Sequence, residues 1–160
     1  MRAIAPMVFV LLTLCSACAT NRAIDADIKG HCAAVYAIPE IDPVRSKMVL
    51  PIRYGVGEPI DILADHTTPT SAERQALLAV SRAFQECNFY AEKVLGPMPA
   101  YRLVSNDRVT LALSRLYAGE LTFGEFAHEL LYIGERDQLA SEDLTKALRA
   151  QERWELLNDE

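Results

Sequence analysis

Apolar residues recur at helical spacing along three long stretches of the chain. The first stretch opens at Thr70-Ser71-Ala72-Glu73, a capping box in which the Thr and Glu side chains satisfy free backbone N–H groups. Gly96-Pro97 then ends it. Six apolar residues between these signals share one stripe: Leu77, Val80, Phe84, Cys87, Ala91 and Val94. The pattern predicts an amphipathic helix between the two signals.

The second stretch runs from about Tyr101 to Ala118 and is apolar on two sides. Gly119 follows it as the expected residue just beyond a helix end. The apolar residues form two groups: Leu103, Leu113 and Tyr117 on one side, and Val104 and Leu111 nearly opposite. Because a helix with two apolar faces is usually central in its bundle, other elements are expected to cover both faces.

The third stretch begins with a second capping box, Thr122-Phe123-Gly124-Glu125. Leu121 and Phe126 occupy the places of a hydrophobic staple around it. The turn that starts at Gly119 is therefore tight, and the second and third helices are expected to be antiparallel neighbours.

One stripe continues along the third helix, which is expected to reach about Leu156. Its members are Phe126, Leu130, Ile133, Ala140, Leu144 and Leu148. Asp137 falls in the middle of this stripe. We therefore predict a kink or break between Gly134 and Ser141, where Ser141 can restart a helix as its N-cap.

The residues before the first helix give weaker signals. Residues 18–30 are short and mixed in polarity, and are expected to form a tether. Residues 31–67 contain four Pro and two Gly and are expected to be irregular, although 43–54 fits either a short helix or a strand. The predicted fold is all-α: a three- to four-helix bundle with an irregular N-terminal segment packed over it. One helical domain spans 31–157, and 158–160 is a frayed tail.

Composition fits one globular domain and narrows its function. The chain has 160 residues, of which 51% are hydrophobic and 24% charged. A formal net charge of −6 disfavours nucleic acid as a partner, because phosphate binding needs a basic surface. No Gly-x-Ser-x-Gly elbow is present, and His31, His66 and His128 lack metal-ligand spacing. We expect no catalytic residue, cofactor or metal site.

The N-terminus has the pattern of a secretory signal. Met1-Arg2 precedes an apolar run from Ala3 to Leu14, which is shorter than the roughly 20 residues of a membrane span. Ser16-Ala17-Cys18 resembles the end of the lipobox of bacterial lipoprotein precursors, although Cys15 stands where Leu is usual.

This resemblance implies that residues 1–17 are a signal peptide and that Cys18 carries the lipid. The protein would then be anchored to a membrane on the periplasmic side of the bacterial cell envelope, since two or more acyl chains hold a protein stably. Ala19 after the Cys implies the outer membrane. The alternative is ordinary cleavage after Ala19 at an Ala-x-Ala-like site.

Cys32 and Cys87 are the two cysteines that lie outside the signal region. An even pair in an oxidising compartment predicts a disulfide bond. No Cys-x-x-Cys spacing favours the alternative of a redox or metal-binding thiol.

Residues 116–126 resemble the SHOCT-type helical hairpin found near the C-termini of many bacterial proteins. The shared pattern is Leu, Gly, an aliphatic residue, Thr, Glu and an aromatic residue. The resemblance implies an association or accessory module rather than a catalyst.

Three apolar residues of the third helix have no place in the predicted core: Leu131, Tyr132 and Leu139. They form either a partner surface or the floor beneath residues 31–67. We therefore predict a non-enzymatic envelope lipoprotein that binds another envelope protein or supports an assembly. The alternatives are a periplasmic binder of a small ligand and an inhibitor or cryptic hydrolase acting on the cell wall.

Overall fold

The computed structural model describes residues 22–48 and 60–158, and every regular element in these two ranges is helical. The predicted all-α class is therefore confirmed. A 3-10 turn at Pro39–Ile41 precedes the second helix. The helices are α1 over residues 22–36, α2 (Asp42–Arg45), α3 (Ile60–Leu63), α4 (Ser71–Leu95), α5 (Ala100–Ala118) and α6 (Phe123–Asn158). None of the described helices is both long enough and apolar enough to cross a bilayer.

The N-terminal part is more regular than its sequence suggested. Residues 22–36 are continuously helical. The expected tether over 18–30 is therefore helical from residue 22 onwards, and the irregular structure expected from residue 31 does not begin until after residue 36. Gly30 lies inside this helix, where it costs about 1 kcal/mol relative to Ala. Burial of Cys32 and Tyr36 offsets this cost, because both side chains dock against the core.

The 3-10 turn and α2, which follow α1, pack against α4. This agrees with the prediction that the N-terminal segment packs over the bundle. Ile41 and Val44 are fully buried, and Met48 is 4% exposed. Pro39 lies in the first turn of the 3-10 turn, and Pro43 lies in the first turn of α2. A backbone N–H at these positions has no acceptor within the helix, so its absence in proline loses no hydrogen bond. Residues 43–45 are therefore helical, whereas 49–54, together with the signal peptide and Cys18, lie outside the described residues.

Helix α4 begins and ends where the sequence predicts. The Thr70 N–H donates to the Glu73 carboxylate at 2.7 Å, and the Glu73 N–H donates to Thr70 Oγ1 at 3.3 Å, which completes the capping box. Its core face is Ala76, Leu77, Ala79, Val80, Ala83 and Phe84. Toward the C-terminus this face is less covered, and Ala91 and Val94 are only half-buried.

Helices α5 and α6 form the predicted antiparallel hairpin around a tight turn. Gly119 has φ of 80°, a left-handed conformation that favours glycine. The N–H groups of Gly119 and Glu120 donate back to Leu116 and Arg115 and satisfy the last carbonyls of α5. The second capping box is confirmed by reciprocal bonds between Thr122 and Glu125.

The N-terminus of α6 is also held by the segment that follows α3. The Phe123 N–H donates to the Thr67 carbonyl at 3.1 Å, and the Gly124 N–H donates to the Asp65 carbonyl at 2.8 Å. A Cβ on Gly124 would lie 2.5 Å from the Leu63 carbonyl oxygen. Only glycine therefore allows this backbone approach, which fixes the hairpin against the rest of the fold.

Helix α6 continues unbroken through residues 134–141, so the predicted break and restart at Ser141 are wrong. Asp137 fits the apolar stripe because it has partners on α5. It accepts a hydrogen bond from Ser105, and its other oxygen lies 2.8 Å from Arg102 Nη1. A paired carboxylate can occupy an interhelical position without bending the helix.

The predicted central position of α5 is also wrong. Its buried face comprises Ser105, Val109, Ala112, Leu113 and Leu116. Leu113 is the one member of the two predicted apolar groups that is covered, at 4% exposed. The others, Val104, Leu111, Leu103 and Tyr117, are between 38% and 61% exposed, so neither group is covered as a whole. The α6 stripe is buried as far as Ile133, but Leu144 and Leu148 are 42% and 52% exposed.

Candidate protein-interaction surface

The predicted disulfide bond joins α1 to α4. Cys32 and Cys87 are bonded with their Cα atoms 5.0 Å apart, which confirms the pairing. Beside the bond, the His31 ring stacks on the Tyr90 ring with centroids 3.8 Å apart. The Tyr90 hydroxyl donates to Asp27 at 2.8 Å, and this hydrogen bond raises the pKa of Tyr90. The cluster thus links two helices by covalent, stacking and polar contacts.

The three histidines lie on three different parts of the fold. His31 packs against α4, whereas His66 lies exposed in the segment before α4 and His128 lies exposed on α6. Among the residues the structure describes, no three His, Cys, Asp or Glu side chains converge as metal ligands.

Ser105 and Asp137 make the most enclosed polar contact between α5 and α6. Ser105 is 8% exposed, and the Asp137 side chain is 15% exposed. Ser105 donates to Asp137, while Arg102 balances the carboxylate charge. Since the serine is enclosed between two helices, this contact holds the hairpin together rather than presenting a nucleophile to substrate.

Lys47 and Glu73 form a second enclosed pair, which attaches the N-terminal segment to α4. Lys47 Nζ lies 2.8 Å from Glu73 Oε1 and 4.9 Å from the centroid of the Phe123 ring. Burial raises the pKa of Glu73, but hydrogen bonds from Lys47 and Thr70 outweigh it and leave the pKa below its ordinary value. This pair also has a structural role, because it connects three elements.

The register of the α5–α6 hairpin determines which exposed residues become neighbours. Arg115 pairs with Glu129 near the turn, and Ser105 pairs with Asp137 further along. Seven residues are two helical turns and return to nearly the same face. Arg108, seven residues before Arg115, and Arg136, seven residues after Glu129, therefore lie on the same side of the hairpin as the Arg115–Glu129 pair.

Four large apolar side chains are also exposed on these two helices. They are Leu111, one turn from Arg115 on α5; Tyr132 on α6; Val104, one turn from Arg108 on α5; and Leu139 on α6. These four side chains are 61%, 56%, 49% and 53% exposed in that order. We call this face the seam surface; its members are Val104, Arg108, Leu111, Tyr132, Arg136 and Leu139.

Two arginines of the seam surface have no partner among the described residues. Arg108 and Arg136 are exposed, and neither forms an ion pair or hydrogen bond with the described part of the chain. By contrast, the Arg115 guanidinium at the end of the face is paired with Glu129. Either exposed guanidinium can therefore bind a carboxylate of another molecule.

The structure divides the three residues predicted as a partner surface. Leu131, Tyr132 and Leu139 are all exposed, so the described residues before α4 do not cover them. Tyr132 and Leu139 are seven residues apart and share the seam surface. Leu131 is about 100° around the helix from Tyr132 and points elsewhere. Sequence reasoning missed Val104 and Leu111 as surface residues, although their spacing of seven already placed them on one side of α5.

No family model, curated protein or solved structure matches this chain. Its function is therefore inferred from its own side chains and contacts.

Proposed function

We propose that this protein is a non-enzymatic lipoprotein of the bacterial cell envelope that binds another envelope protein through the seam surface. The observation that carries the proposal is the exposure of Leu111 and Tyr132, at 61% and 56%, on one side of a rigid hairpin. Large apolar side chains grouped on a surface are typical of a partner site. Tyr and Arg are also the residue types enriched where interfaces gain most of their binding energy.

The anchor in this proposal comes from the lipobox-like residues before Cys18. Lipid on Cys18 would hold the helical body near the periplasmic face of a membrane, and the outer membrane is the proposed location. The short signal-type run at Ala3 to Leu14 supports export. A folded body stapled by Cys32 and Cys87 suits that oxidising compartment.

Site-specific photo-crosslinking in intact cells tests the interaction. Tyr132 is replaced by the photoreactive residue benzoylphenylalanine, which is similar in shape to an aromatic side chain. Phe89 on α4 is 66% exposed and receives the same replacement as a matched control away from the seam surface. We expect a discrete protein adduct from position 132 and none of the same mass from position 89. No adduct at 132, or identical adducts at both positions, would exclude a specific partner on this face.

A further inference from the structure

Helices α1 and α4 run antiparallel, so the start of α1 lies near the end of α4. Cys32 is bonded to Cys87. Five residues earlier on α1, Asp27 accepts a hydrogen bond from Tyr90, which lies three residues later on α4. The partner on α4 therefore moves forward as the residue on α1 moves back. Continuing this register to the start of α1 reaches the last turn of α4.

The start of α5 lies at the same end of the molecule. Residues 96–99 alone connect the end of α4 to Ala100, the first residue of α5. At the opposite end, the start of α4 meets the end of α5, since a Cβ on Gly119 would lie 3.3 Å from Arg74 Nη2. We call the end that holds the start of α1, the end of α4 and the start of α5 the anchor end.

Helix α6 extends well beyond the anchor end. Ser105 donates to Asp137 within the antiparallel hairpin, so the start of α5 is level with about residue 142 of α6. The rest of the helix, to Asn158, projects about 24 Å past the anchor end. Every residue from 141 to 151 is exposed to solvent. The bundle therefore leaves this part of α6 uncovered.

The projecting part of α6 is amphipathic. Leu144 and Leu148 are four residues apart, so they share one face of the helix, where they are 42% and 52% exposed. Its charged residues over 141–151 lie toward the other side and balance one another: Glu142, Asp143, Lys146 and Arg149. A helix with one apolar and one charged face can lie in the plane of a membrane surface.

The tether to the proposed lipid is shorter than this projection. Arg22, the first described residue of α1, is four residues after Cys18, which is at most about 14 Å along a fully extended chain. A body standing upright on this tether would bring the tip of α6 about 10 Å below the membrane surface. A tilted body lays α6 along the surface or turns it away. Turning it away leaves both leucines in water, so contact is the more stable orientation.

We propose that the projecting end of α6 rests on the lipid bilayer that holds Cys18, with Leu144 and Leu148 buried below the headgroups. The proposal rests on the lipid anchor of the proposed function. Because the anchor already keeps the helix at the surface, a contact too weak to bind a membrane by itself becomes effective. The disulfide bond between α1 and α4 holds the direction of the projection fixed relative to the anchor.

A second copy of this chain is a poorer occupant of the same face. Two projecting ends packed side by side would share a strip about 24 Å long and 10 Å wide, which buries about 500 Å² in total. Stable protein interfaces bury roughly 1,200–2,000 Å². The bilayer needs no such area, because the lipid anchor has already brought it within reach.

Photo-crosslinking to phospholipid tests the contact. The full lipid-carrying chain, verified by intact mass, is reconstituted into vesicles of equal parts phosphatidylethanolamine and phosphatidylglycerol. Benzoylphenylalanine replaces Leu144 or, as the matched control, Leu78, which is 41% exposed and lies in the half of α4 away from the anchor end. We expect about tenfold more phospholipid adduct from position 144 than from position 78, since only the former is held at the bilayer.

Two changes test the causes separately. Inserting about twenty Gly and Ser residues after Ala19 should lower the adduct at position 144 about tenfold, because effective concentration falls steeply with tether length. With the probe at position 148, Leu144→Asp should lower the adduct several-fold, because it places a charge on the buried face. Lys146→Gln makes the same change in net charge on the opposite face and should leave the yield unchanged.

The outcomes separate this contact from the anchor on which it rests. All variants are compared at matched helical circular dichroism. Equal adduct yields at positions 144 and 78 of a lipid-carrying chain would overturn the contact and leave the anchor intact. So would a crosslink to a second copy in place of phospholipid, or a yield unchanged by either the longer tether or Leu144→Asp. A chain whose intact mass shows no lipid would overturn the anchor in the proposed function, and this contact with it.

Discussion

Replacing Gly124 by Ala tests how the hairpin is fixed to the rest of the fold. The new Cβ would lie 2.5 Å from the Leu63 carbonyl oxygen and 2.9 Å from that of Asp65, whereas ordinary contacts begin at 3.4 Å. The opposing atoms belong to backbone, so they can retreat only if the whole segment moves. That movement would stretch the hydrogen bonds that Phe123 and Gly124 donate to Thr67 and Asp65.

The magnitude follows from three contributions. Forcing an extra methyl group into a packed site costs about 1–3 kcal/mol. Weakening two hydrogen bonds costs about 1 kcal/mol each. Ala is a better helix former than Gly by about 1 kcal/mol, which partly offsets the loss. We expect Gly124→Ala to lower the free energy of unfolding by about 2–4 kcal/mol.

Urea unfolding followed by circular dichroism measures this effect, with the disulfide kept oxidised. Gly30→Ala is the matched control, because Gly30 is also helical and a Cβ there meets nothing within 4 Å. The control should be more stable than the wild type by about 0.5–1 kcal/mol, since only helix propensity changes. If Gly124→Ala stabilised the protein as Gly30→Ala does, the close backbone approach would be refuted.

Three further predictions concern the lipid anchor, the disulfide bond and the pH dependence of stability. Cys18→Ser should move the protein from the detergent phase to the aqueous phase in a partitioning assay, and unchanged partitioning would remove the lipid anchor. The oxidised chain should be two hydrogens lighter than the reduced chain by mass analysis; Cys32→Ser with Cys87→Ser should cost up to about 4 kcal/mol, because the bond closes a loop with a sequence separation of 55. The pKa of Glu73 is lower in the folded protein than in the unfolded chain, so the ionised carboxylate stabilises the fold at pH values above the unfolded pKa. This stabilisation is lost as pH falls through the folded pKa. Unfolding free energy should therefore drop below about pH 4.5, and Glu73→Gln should reduce that slope; an unchanged slope would contradict the role of the Lys47 pair.

Local signals predicted the major helices because their causes lie within a few residues. Each capping box involves groups only three residues apart, and Gly119 relieves strain at its own backbone. The starts of α4 and α6 and the end of α5 could therefore be read directly from the chain. The prediction of a helix break near Asp137 was wrong for the opposite reason: the partners of Asp137, Ser105 and Arg102, lie on another helix.

The sequence by itself determined the helical class, the capped hairpin and the pair of cysteines free to bond, since periodicity, caps and residue counts need no knowledge of distant contacts. Only the tertiary structure decided which apolar faces remained open. Leu111 and Tyr132 are apolar residues that a pattern assigns equally well to a core or to a surface. Whether such a face is covered depends on how many elements pack around it, and their register sets which charges stand beside it. The exposure of Leu111 and Tyr132 thus follows from the packing of the hairpin as a whole, not from either helix alone.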